Sequence, residues 1–140
     1  MPDLRYPIHE SLFFHNNLAS IIAHNFGYVR IEWHPTMVRT SELREAYEHV
    51  LLLLKESGIT KVLSDHQLLA AIMPDDQYWL ANDWVPRAVQ EVGYARCAII
   101  QAYDVISHLA TLKITNSLIT TLAVNYFDDQ RQAEGWLLQA

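Results

Sequence analysis

The chain has 140 residues with a formal net charge of −6, and 51% of its side chains are hydrophobic. That length builds one domain with a real core, and the excess of 16 acids over 10 bases argues against nucleic acid and against an anionic membrane surface as partners. The single cysteine, Cys97, lies in an apolar run, so no internal disulfide forms and a reducing cytoplasm fits.

Residues 1–10 read as a lead-in, because Pro2 and Pro7 oppose regular structure and no apolar core marks a signal peptide. Residues 11–140 read as the domain. Leu12–His15 is a short strand, and Asn16-Asn17 is a turn. Leu18–His24 is a second strand, turned at Asn25-Phe26-Gly27. Tyr28–Trp33 alternates, with Val29, Ile31 and Trp33 on one face, as a half-buried strand does. The first third is therefore an antiparallel meander, and its edge must be covered or paired, which suggests a homodimer.

His34-Pro35 breaks the meander. Thr40 or Ser41 is placed to cap a helix whose Leu43, Ala46, Tyr47, Val50, Leu51 and Leu54 recur at helical spacing up to Gly58. Ile59–Ser64 returns as a strand, so the strand–helix–strand order implies a right-handed parallel crossover. A Leu- and Ala-rich loop leads to a helix opened by Pro74-Asp75-Asp76. Pro86 falls inside that helix and predicts a kink, or two helices meeting, near Trp84-Val85. Gly93 ends the unit. Tyr94–Ala102 is the most apolar strand and is expected to be central and covered on both faces. Asp104 heads a helix with Val105, Ile106, Leu109 and Leu112 expected inward, interrupted at Thr115–Ser117 and resumed over Leu118–Leu122. Ala123–Phe127 is a last strand. Asp128-Asp129 caps a final helix that turns Ala133, Trp136 and Leu137 inward. The fold class is α/β, a mixed sheet in which the meander is followed by parallel β-α-β units covered by helices. The longest apolar run, Val50–Leu54, is too short to insert in a membrane.

Ligands in open α/β sheets bind at the carboxyl edge of the strands, where His34, Asp65, His66, Tyr103, Asp104, Asp128 and Asp129 fall. The plainer role for these acids is to cap helices and close turns. Asp75 and Asp76 complement the helix dipole or meet basic residues of a partner. Trp79 and Trp84 are candidate interface anchors, although a spacing of five keeps them off one face of a straight helix, so one is expected in the core and the other partly exposed. Arg87 is expected to pair with a nearby acid. His15, His24, His34, His49, His66 and His108 are scattered without ligand spacing, so neither metal nor cofactor is expected. Cys97, mid-strand among apolar residues, is no nucleophile. An enzyme built on Asp65 would need His66 or His34 within hydrogen-bond reach.

Three segments carry a resemblance: Lys61–Asp65 (KVLSD), Asp75–Ala88 (DDQYWLANDWVPRA) and Asn125–Leu137 (NYFDDQRQAEGWL). With the element order from Leu12 to the C-terminus, they resemble the SpoIIAA-like fold of the STAS and anti-sigma-factor-antagonist superfamily. More narrowly, they resemble small bacterial proteins called STAS/SEC14-like. The resemblance implies a strand ending in Asp, which Asp65 matches, and a phosphorylatable Ser or Thr at the next helix start. No hydroxyl stands at Met73-Pro74-Asp75-Asp76. The implied function is a non-enzymatic, cytoplasmic protein-interaction or regulatory module. Its contact face for an unidentified partner would use Asp65, His66, Asp75, Asp76, Trp79, Trp84 and Arg87. The alternative is a carrier of a small apolar or lipid-like ligand, suggested by the apolar loop Leu68–Met73 and the broken helix.

Overall fold

A computed structural model describes residues 9–139. Of the lead-in expected over residues 1–10, all but His9 and Glu10 lies outside these residues, and Glu10 already opens the first strand. The strands β1 (Glu10–His15), β2 (Ala19–His24) and β3 (Tyr28–Trp33) form the antiparallel meander. β4 (Lys61–Asp65), β5 (Arg96–Ile100) and β6 (Ala123–Phe127) continue it in parallel, giving a six-stranded mixed sheet in the order β1-β2-β3-β4-β5-β6. Local chemistry sets the two tight turns. The Asn16 side chain accepts hydrogen bonds from the amides of Leu18 and Ala19. Gly27 takes the left-handed φ of 95° that other residues avoid.

The parallel strands are joined by α1 (Thr40–Ser57), by a rod made of α2 (Pro74–Trp79), a π turn (Leu80–Trp84) and α3 (Val85–Val92), and by α4 (Val105–Asn116). The strand order never reverses, so same-handed crossovers lay these helices on one face of the sheet. The larger core lies there, with Val29, Ile31, Trp33, Val62, Cys97 and Ile99 pointing into it. The alternate residues Tyr28, Leu63, Ala98 and Ile100 point to the other face, where α5 (Gln130–Leu137) covers them with Ala133 and Leu137. Two polar contacts fasten α5. Tyr28 donates to Glu134 across 2.5 Å, and the Arg96 guanidinium donates to the carbonyls of Trp136 and Gln139 at the helix end.

Four sequence expectations change. β5 is covered on both faces but lies next to the edge strand β6, so β3 and β4 are the central pair. Arg39 occupies the N-cap of α1, and the Thr40 hydroxyl is turned instead to Asp76, 3.0 Å away. α4 does not resume after Asn116. The Thr115 and Ser117 hydroxyls bond back to the carbonyls of Leu112 and Lys113, and the chain leaves the helix there. Finally, α4 is turned the other way. It buries Ser107, Ala110, Thr111 and Ile114, while Val105, Ile106 and Leu109 stand in solvent at 68%, 68% and 51% exposure, with Leu112 half-buried.

Candidate functional site

The carboxyl ends of β3 and β4 are organised by a buried polar chain. Trp33 Nε1 donates to Ser64 Oγ at 2.8 Å, Ser64 lies 2.9 Å from His66 Nε2, and His66 Nδ1 lies 3.3 Å from Thr111 Oγ1. Thr111 also reaches the Ser107 carbonyl at 3.2 Å. One assignment satisfies every donor: Ser64 gives its proton to Nε2, Nδ1–H donates to Thr111, and Thr111 donates to the carbonyl. His66 is therefore neutral. Burial, with a smaller contribution from His108, pushes its pKa down to about 3. This requirement accounts for the orientation of α4. A buried imidazole needs a hydroxyl partner, and placing Thr111 inward rotates Val105, Ile106 and Leu109 outward.

The sequence-predicted residues do not gather into one face. Asp65 Oδ1 accepts the Gln67 amide at 3.1 Å and closes a turn; its carboxyl is held above the usual range by burial, against the pull of Arg30. The carboxylate–imidazole pair an enzyme would need is not formed, since His34 binds Ser20 and the Asn17 carbonyl while His66 binds Ser64 and Thr111. Asp104 and Asp129 cap α4 and α5 through the amides of Ser107 and Gln132. Asp75 is exposed, whereas Asp76 is buried against Thr40, with Oδ1 left 4.0 Å from Arg44 Nε and without a hydrogen bond among the described residues. Trp79 is half-buried beneath Arg44, whose guanidinium carbon stands 4.9 Å from the ring centre. Trp84 is buried, with Nε1 on the Tyr47 carbonyl at 2.8 Å. Arg87 forks onto Glu48 and also meets Asp83. Burial thus removes His66, Asp76 and Trp84 from any contact surface, and ion pairing occupies Arg87. Asp65 is half-buried, and Asp75 and Trp79 remain reachable.

Two features escaped the sequence reading. The first is a set of exposed apolar side chains on and beside α2 and α4, which pack against each other. Leu68, Met73 and Tyr78 are exposed on one side, and Tyr103, Val105, Ile106 and Leu109 on the other. Between α2 and α4 runs a shallow groove of about 460 Å³, floored by Ala81 and Ile114. The second is a cavity of about 50 Å³ between the sheet and the helices. Tyr47, Trp84, Tyr94 and Cys97 form one end, the Ser64–His66–Thr111 chain another, and Leu118 and Leu122 of residues 117–122 close the side toward β6. It exists because Ser64 and Cys97 are small side chains at inward sheet positions. A lipid chain does not fit it, since sites for drug-sized ligands begin at about 300 Å³.

Among the described residues no group of three or more His, Cys, Asp or Glu gathers as metal ligands do, and no helix is long and apolar enough to cross a membrane. No protein-family model, curated protein or solved structure matches the chain.

Proposed function

We propose that this chain is a non-enzymatic protein-interaction or regulatory module of the STAS-like type, working in the cytoplasm, with the α2–α4 surface as its docking face. The observation that carries the reading is the outward turn of Val105, Ile106 and Leu109 beside exposed Tyr103 and Leu68. Soluble chains seldom leave contiguous apolar surface on a helix unless something covers it. Asp75 and Asp104 are exposed at the starts of α2 and α4, Lys113 lines the groove between the helices, and the chain as a whole carries a net charge of −6. The partner therefore presents an apolar surface flanked by basic side chains. Asp75 heads α2 where the resembled family places a phosphorylatable hydroxyl, so docking is constitutive rather than switched.

The test compares proteins captured from native lysate by the wild type, by an Ile106→Asp/Leu109→Asp variant and by a Gln132→Ala control on the opposite face. Selective loss of a partner by the double variant, with the control unchanged, supports the reading. An identical partner set for all three overturns it, and so does a wild-type dimer in light scattering that the double variant abolishes, because the face then serves a second copy.

A further inference from the structure

We propose that the β6 edge of the sheet is a self-association surface, at which β6 pairs antiparallel with β6 of a second copy of this chain about a twofold axis at Asn125. The two edges of the sheet are finished differently. β1 is blunted: its register slips between Leu12 and Phe14, and Glu10 at its start forks onto Arg30. β6 carries neither guard. It runs in unbroken register with β5, and Ala123–Phe127 contains no proline, no glycine and no charge. Its backbone is half used. The Ala123 amide donates to the Ala95 carbonyl at 3.0 Å, and the Gln101 amide donates to the Phe127 carbonyl at 2.9 Å. In a parallel pair this makes Ala123, Asn125 and Phe127 the residues that bond to β5, so Val124 and Tyr126 turn their amides and carbonyls outward. No further strand lies beyond them among the described residues. The Tyr126 amide is stoppered locally, by the Asn125 side-chain oxygen at 2.9 Å.

Charge and symmetry identify the occupant. With a net charge of −6, two copies repel one another on average, but no residue from Ile114 to Phe127 is charged. A strand from a strongly charged partner finds nothing to complement there, whereas a copy of β6 meets it with no like charges opposed. The edge is also complementary to itself. With Asn125 opposite Asn125 of the second copy, Val124 faces Tyr126, the two exchange amide and carbonyl bonds, and the twofold repeats the pair. The Asn125 carboxamide, released from the Tyr126 amide, bonds its own counterpart, since it carries both a donor and an acceptor. Ala123 and Asn125, the exposed residues of the strand, are small enough for close approach. Ile119, 92% exposed in the segment that enters β6, flanks the contact. The axis stands perpendicular to the sheet, so the helical layers of both copies lie on one side and the docking faces proposed above point the same way. The dimer itself does not rest on that reading.

The experiment is sedimentation of the full chain over a dilution series, together with amide hydrogen exchange at the two ends of that series. The expected result is a reversible monomer–dimer equilibrium, with the Val124 and Tyr126 amides exchanging more slowly in the concentrated sample and the Asn125 and Phe127 amides, already bonded to β5, unchanged. Asn125→Lys sets like charges opposite each other on the axis and is expected to leave a monomer. Val124→Pro removes an outward donor from each copy without touching a bond to β5, and is expected to weaken the dimer by about a hundredfold, roughly tenfold for each bond lost. Melting curves check that both variants remain folded; the exchange pattern of the wild type decides the matter even where one does not. The Ile106→Asp/Leu109→Asp variant is expected to stay dimeric, which separates this edge from the docking face. A wild type that remains monomeric at the top of the series overturns the proposal. So does a dimer that survives Asn125→Lys, or one that the Ile106→Asp/Leu109→Asp variant abolishes.

Discussion

The amide of Val85 donates to the carbonyl of Leu80, five residues back, and this widened turn is what lets Pro86 sit inside an unbroken helical rod. Proline has no amide hydrogen, and its ring collides with the carbonyl four residues earlier. A π turn moves the preceding carbonyls away from the ring, while Pro86 occupies the first turn of α3, where its missing donor is not needed. The extra residue also rotates α2 relative to α3, so Leu80, Ala81, Trp84, Val85 and Ala88 are all buried along one rod. Deleting the exposed Asn82 removes the extra residue. With Pro86 in place, the regular helix then meets the proline clash, and the expected loss is ~3 kcal/mol. The same deletion combined with Pro86→Ala is expected to cost less than about 1 kcal/mol, because an ordinary helix now closes. Urea denaturation of the two deletions checks this, and equal losses would sink the account.

The strands and helix ends were legible because each is set by a few adjacent residues. The alternation of Val29, Ile31 and Trp33, the glycines at 27, 58 and 93, and the caps Asp104 and Asp129 act locally and stand where the sequence places them. That Pro86 disturbs the regular helix near Trp84-Val85 was legible, but the outcome, a π turn in a continuous rod rather than a kink, was not: proline marks where a bond fails, not how the chain repairs it. The face of α4 was illegible for a different reason. Its most apolar stripe reads as the inner one, and only the distant His66, 45 residues earlier than Thr111, makes the polar stripe the buried one. Asp76 was illegible for the same reason, since Thr40 meets it from another helix, whereas the spacing of five already set one of the two tryptophans inside, and the Tyr47 carbonyl holds Trp84 as that one.

The polar chain under α4 makes Ser64 a keystone. Ser64→Ala leaves the Trp33 indole hydrogen and the His66 ring nitrogen unpaired in the core at once. Two orphaned groups are expected to cost ~2–4 kcal/mol in chemical denaturation. A loss below about 1 kcal/mol would mean that water replaces the hydroxyl, and the chain would then be packing rather than obligatory pairing.

Acid sensitivity follows from the same histidine. The folded pKa of His66 is about 3 against 6.5 for the free side chain, so the unfolded chain binds a proton over that interval and the folded one does not. Stability is thus fully present above pH 6.5 and is lost as pH falls toward 3, with a slope approaching ~1.4 kcal/mol per pH unit for one site. His24, also lowered by burial, acts in the same direction. Asp65 acts oppositely: its folded pKa is raised, so protonation in acid relieves a cost that its charge imposes at neutral pH. His66→Asn is expected to flatten the decline between pH 6.5 and 4, and Asp65→Asn to raise the melting temperature at pH 7. Parallel melting curves for wild type and His66→Asn would contradict the assignment of the neutral imidazole.

The orientation of α4 can be settled without any partner. If Ile106 and Leu109 were core residues, as their apolar character suggests, charging them would unfold the domain. Because they stand at 68% and 51% exposure, Ile106→Glu with Leu109→Lys is expected to stay within about 0.5 kcal/mol of wild type. The two new side chains lie three residues apart and can pair on the helix surface, which offsets part of any loss. Ile114, buried on the opposite stripe, behaves differently: Ile114→Ala opens space beside the cavity and is expected to cost ~2–4 kcal/mol. Equilibrium denaturation of the pair and of Ile114→Ala distinguishes the two stripes. A large loss from the charged pair with a small one from Ile114→Ala would reverse the helix, and with it the docking face and the hydroxyl that His66 requires.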